Sequence, residues 1–172
     1  MAITPNLSLL YHRNVRVIDV LIARILLELA GCAMSFLLLV TVFVAAGFLK
    51  PPENWLLLLG GYLLTAWFAA SLAICVCACS ELSEVFDRIW HPLTYFMMPI
   101  CGISFMVEWL PLRIQRLALY VPMVHGTEMV RGGYFGNSVH CHYNVTYLSS
   151  WCLGLMLVGL LFLKLFARRV EP

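Results

Sequence analysis

The chain has 172 residues, of which 62% are hydrophobic and 12% charged, with a formal net charge of +2. A soluble domain carries about 25% charged residues, so this composition cannot clothe a water-exposed surface and excludes an ordinary soluble enzyme. So small a net charge also gives no footing for nucleic acid, and the basic residues flank apolar blocks instead of forming a patch.

The opening stretch Met1 to Tyr11 lacks the basic start, short apolar run and small-residue site of a cleavable signal. The first long apolar block runs over 25–48, with Glu28 as its charged member, and Lys50, Pro51 and Pro52 stop it. At 1.5 Å per residue, a block of this length exceeds the hydrocarbon core of about 30 Å. The second block, 55–79, holds no charge and opens on Trp55, an aromatic suited to the headgroup level. After Glu81, Glu84, Asp87 and Arg88 comes a third block over 89–110, with Pro92, Pro99 and Gly102, which predicts a kinked helix set against neighbours. A last block covers 147–166, and Lys164 near its end can snorkel outward.

Between the third and fourth blocks, residues 111–136 are too long for a turn and too broken to cross. Leu110, Ile114, Leu117, Ala118 and Val121 recur at helical spacing, with Arg113, Gln115 and Arg116 opposite them. Pro122 interrupts that amphipathic helix. A second short helix follows at about 124–130, and Gly132, Gly133 and Gly136 read as its stop. Two helices too short to cross describe a re-entrant hairpin, which needs its broken backbone buried in protein or lining a wet cavity. The predicted fold is therefore all-α integral membrane, a single domain over 1–172 with four transmembrane helices and a re-entrant helical hairpin.

Lys and Arg are enriched on cytoplasmic flanks. Arg13, Arg16, Arg24, Arg88, Lys164, Arg168 and Arg169 fall on one side, against Lys50, Arg113, Arg116 and Arg131 on the other, so both termini are expected in the cytoplasm and the hairpin outside.

No phosphate-binding GK[ST] loop, HExxH or GxSxG is present, so neither ATP hydrolysis nor a familiar enzyme site is expected of this chain. Cys75, Cys77 and Cys79 point to different sides of a helix, and neighbours such as His140, Cys141 and His142 cannot converge on one tetrahedral ion, so no metal is expected. Asn144 to Thr146 fits a glycosylation acceptor, a frequent chance match to which we attach no weight. Arg24 and Glu28 are four apart on one helix face, near Asp19. They suit an interfacial ion pair or a lever felt by a cytoplasmic partner. His125, Glu128 and Arg131 share a face of the second short helix, where they can pair and brace the hairpin or line an exit for a polar cargo. Trp109, Tyr120, Tyr134 and Phe135 offer aromatic faces nearby.

Two stretches carry a family resemblance. Asn6 to Glu28, NLSLLYHRNVRVIDVLIARILLE, resembles the segment leading into a crossing of capsular-polysaccharide export permeases, members of the type-2 class of ABC exporters. Pro122 to Gly136, PMVHGTEMVRGGYFG, resembles their external re-entrant motif, with Pro122, His125, Glu128 and Arg131 at the matching places. The resemblance implies a permease of the bacterial inner membrane, working with a second permease copy, that exports a lipid-linked capsular polysaccharide. ATP would be bound and hydrolysed by a separate nucleotide-binding subunit, with no cofactor here. It also implies that Asp19, Arg24 and Glu28 lie by a cytoplasmic coupling region, and that a full permease has an amino-terminal amphipathic helix, two further crossings and a coupling helix before Asn6. Those missing parts make an accessory or structural subunit the alternative reading.

Overall fold

The structure, a computed structural model, describes residues 17–170. The first part of the Asn6 to Glu28 stretch, with Arg13 and Arg16, lies outside the described residues. Among the described residues there are six α-helices, α1 (Val17–Ala45), α2 (Trp55–Leu82), α3 (Glu84–Ile100), α4 (Leu112–Ala118), α5 (Pro122–Phe135) and α6 (Val145–Val170), and no strand.

Among the described residues, three helices contain segments long and apolar enough to cross a membrane: Ile18–Ala45, Trp55–Ser80 and Val145–Leu165. Their 28, 26 and 21 residues correspond to about 42, 39 and 31 Å. The third block departs from expectation. Instead of one helix over 89–110, α3 begins at Glu84 and ends at Ile100, 17 residues or about 26 Å. Two local causes set these bounds. At the front, Ser83 in extended conformation ends α2 and starts α3, its amide donating to the Cys79 carbonyl and its hydroxyl accepting from the Phe86 amide. At the back, Pro99 brings no amide proton and Gly102 turns the chain at φ 77°, a left-handed conformation that glycine adopts without Cβ strain. Residues 103–111 then run irregularly through one 3-10 turn at Val107–Trp109.

The helix of residues 122–135 is also longer than its predicted core of 124–130. Gly132 and Gly133 do not stop it; they lie inside α5, and Gly136 at φ 55° ends it. Their packing explains this. A Cβ on Gly133 would lie 2.6 Å from the Leu58 Cα, and one on Gly61 would lie 2.8 Å from the Val130 amide nitrogen. Small residues on both helices therefore let α5 and α2 approach backbone to backbone, the usual device for close helix contact in a membrane.

α2 is the central element, lying against α5 and α6. Phe68, Leu148 and Cys152 form the buried core cluster, with Trp67, Met123 and Leu155 packed on it. Gly159 brings α6 close to the Cys75 backbone in the same way. α1 touches α2 lightly, through the Tyr62 hydroxyl, which donates to the Leu29 carbonyl at 2.6 Å, and through Leu21, which is buried. Leu26, Leu27, Met34 and Leu38 stand exposed along the rest of α1.

α5 runs antiparallel to α2. Its end is fixed to the start of α2, where the Asn54 amide donates to the Gly133 carbonyl at 2.9 Å. Its beginning lies deep: Gly126 faces Thr65, and Met123 packs on the cluster around Phe68. Phe68 is about 20 Å along α2 from Trp55.

Candidate functional site

Period and proline phase α5 so that His125, Glu128 and Arg131 follow one another along one face. Glu128 is 1% exposed. Its Oε1 accepts from the Val107 amide at 3.3 Å and from Arg131 Nη1 at 3.2 Å, and its Oε2 accepts from the His142 amide at 3.3 Å. Arg131 continues the network: Nη1 donates to the Phe105 carbonyl at 2.6 Å and Nη2 to the Ile103 carbonyl at 3.0 Å. A carboxylate taken out of water needs this density of donors, because a buried charge left unpaired is strongly destabilising.

His125 does not join that pair. Its Nδ1 accepts from the Asn144 amide at 3.1 Å, which leaves Nε2 as the donor to the Leu119 carbonyl at 2.9 Å. Two opposite duties on the two nitrogens describe a neutral ring with its proton on Nε2. The ring also meets Tyr147 edge to face at 5.1 Å between centroids, and the Tyr147 hydroxyl donates to the Tyr120 carbonyl at 2.9 Å. The three side chains thus bind three different lengths of irregular chain to α5: Glu128 and Arg131 take 103–107, Glu128 takes the approach to α6, and His125 joins the α4–α5 corner to Asn144.

Asn144 itself accepts the Tyr147 amide through Oδ1 at 3.1 Å, so it serves as a cap for α6. Pro122 opens α5 at its first turn, where a missing amide costs nothing. Beside the network, burial pushes the Cys141 thiol up from its ordinary value, and the Glu128 carboxylate adds to the push. Among the described residues no group of three or more His, Cys, Asp or Glu is arranged to hold a metal ion.

The aromatic candidates divide. Trp109 and Tyr120 are 71% and 73% exposed, free to meet a ligand. Tyr134 spends its hydroxyl on the Lys50 carbonyl at 3.0 Å and stacks edge to face with Phe135. Asp19, Arg24 and Glu28 are exposed on α1. Arg24 and Glu28 line a common cleft against α2, yet no ion pair joins them. The structure keeps this group apart from the α5 network. Sequence reasoning passed over Asn144, Tyr147 and the backbone amides of Val107 and His142, which complete the network; the buried acid on a helix face was the signal that such donors must exist.

A family model described as ABC-2 type transporter matches residues 4–135, most of the chain, taking in α1 to α5 and ending before α6. The chain belongs to the ABC-2 type transporter family. Among its relatives are the capsule polysaccharide export inner-membrane proteins BexB of Haemophilus influenzae, 42% identical, and CtrC of Neisseria meningitidis serogroup B, 43% identical, each over 171 residues. These matches cover 99% of this chain and 64% of either relative, so the chain spans less than two thirds of the length of the ABC-2 proteins it matches.

Proposed function

We propose that this chain belongs to a permease that exports a lipid-linked capsular polysaccharide across the bacterial inner membrane, powered by a separate ATPase subunit and paired with a second permease copy. The names of the relatives support capsule polysaccharide as the cargo and the inner membrane as the place. Four crossings follow if α3 spans as the third, shortened by its two prolines and continued by the irregular chain after Gly102. Both termini then face the cytoplasm, and the α4–α5 pair enters from the outer side.

The observation that carries this reading is the depth of α5. Its beginning lies beside Phe68, about 20 Å along a helix of about 42 Å, and its end lies at the helix start. Chain that reaches mid-membrane and returns must have its irregular backbone satisfied inside protein. His125, Glu128 and Arg131 supply that satisfaction. In this reading they hold the hairpin as one rigid body at the outer mouth, while Trp109 and Tyr120 present aromatic faces to passing sugar rings.

The test is export. Glu128→Gln in the intact transporter keeps the shape and removes the charge that holds Arg131, and surface polysaccharide is expected to fall about tenfold with membrane insertion unchanged. Unchanged surface polysaccharide returns Glu128 to a purely structural part.

A further inference from the structure

The short helix α4 carries large apolar side chains and two cations on a face that the described residues leave open. Helical spacing sets Leu110, Ile114, Leu117 and Ala118 on one face and Arg113, Gln115 and Arg116 opposite, the pattern of a helix packed on protein. The structure buries little of that face. Ala118 is the one buried residue of α4, while Leu112, Ile114 and Leu117 are 75%, 47% and 65% exposed. Gln115 is the polar residue that turns inward, its Nε2 donating to the Leu110 carbonyl at 2.9 Å. Arg113 and Arg116 are exposed, and among the described residues neither forms an ion pair. Glu108, also exposed just ahead of α4, leaves the segment net cationic.

Two fixings place this helix. The residue that follows it, Leu119, accepts at its carbonyl from His125, whose ring takes the Asn144 amide, and Asn144 directly precedes the apolar span Val145–Leu165. Ahead of it, the Val107 amide is held by Glu128, about one turn further along α5 toward the start of α2. With the hairpin on the outer side, α4 hangs level with the start of that apolar span, where headgroups give way to acyl chains. Water alone would leave three large aliphatic side chains wet, and a purely apolar partner would bury two unpaired guanidiniums. An anionic leaflet suits both. At about 100° per residue, Arg113 and Arg116 form one strip of α4, and Ile114 and Leu117 form the strip beside it. A helix of this kind lies in the plane of the interface, its aliphatic strip sunk among acyl chains and its cations at the phosphates, which a guanidinium meets with two parallel donors. We propose that α4 is an interfacial anchor that binds anionic phospholipid of the outer leaflet, phosphates on Arg113 and Arg116 and acyl chains along Ile114 and Leu117. Of the export reading, only the outer placing of the hairpin is needed here.

The experiment is photolabelling of the purified chain in lipid discs, with the labelled peptides located by mass spectrometry. A photoactivatable phosphatidylglycerol is expected to label the peptide covering 109–120 about tenfold more than the matching phosphatidylcholine, since each cation near an anionic surface adds to the attraction. Arg113→Gln combined with Arg116→Gln is expected to remove that preference, and the corresponding pair of Lys substitutions to keep most of it. Lys50→Gln, which takes one positive charge from the same side of the protein, leaves it unchanged. Equal labelling by the two lipids, or a double Gln variant that labels like the parent, would overturn the proposal. So would disulfide cross-linking of Leu117→Cys between two copies in place of lipid labelling, which gives the face to a second chain, or loss of labelling on adding soluble polygalacturonate, which gives it to an acidic glycan. Lipid contact is read in discs without transport, so an export assay that fails for Glu128→Gln leaves this result standing, and the absence of labelling leaves the export test standing.

Discussion

Glu128 concentrates the energetics of the hairpin in one side chain. Four groups depend on its two oxygens or on the arginine it steadies, and all lie in irregular chain or at helix ends. Glu128→Ala would strand the Arg131 charge and two amides, a loss of about 3–5 kcal/mol typical of breaking a buried pair. Glu128→Gln keeps an acceptor and should cost about 1–3 kcal/mol. Thermal unfolding of the two variants in detergent is expected to rank them in that order. Cys141 reports on the same carboxylate. A thiol pushed up by burial and by a neighbouring negative charge holds less thiolate at a given pH. With the other cysteines replaced, Cys141 should therefore alkylate more slowly at pH 7.5 than a free thiol, and Glu128→Gln should speed it. At this scale the sequence was only half legible. Spacing alone put His125, Glu128 and Arg131 on one face, but it suggested they pair with one another; in fact His125 turns to Asn144, distant in the chain, and to the Leu119 carbonyl just before the Pro122 break, neither of them a partner on its own helix face.

The elements show where pattern reading succeeds and where it fails. Long apolar blocks fixed α1, α2 and α6 to within a few residues at most ends, because burial in lipid demands length and apolarity before anything else. α3 escaped that logic. Val85, Ile89, Phe96 and Ile100 stand exposed on one side, while Asp87, Trp90 and His91 border a cavity between α1, α2 and α3. α3 thus exposes large apolar side chains, the reverse of a helix in water, while Asp87 and Trp90 are half-buried beside the cavity and His91 is exposed. Gly132 and Gly133 were misread for a related reason: glycine marks a helix end in water, but in a close-packed membrane pair it marks a contact. Gly133→Leu should therefore force α5 off α2 and destabilise the protein by about 1–3 kcal/mol or more. Gly154→Ala, where an added Cβ meets nothing, should leave the unfolding temperature unchanged.

For the molecule as a whole, Met123 links two regions: it lines the cavity between α1, α2 and α3 and also packs on the core beside Phe68. The central claim beneath this picture is that residues 111–136 enter and leave the membrane on the same side. Impermeant maleimide applied to spheroplasts, with single cysteines at Arg113, His140 and Arg88 in a cysteine-free background, tests it most directly. The account predicts labelling of Arg113→Cys and His140→Cys from outside, and of Arg88→Cys only after permeabilisation; labelling of Arg113→Cys and His140→Cys from opposite sides would contradict it.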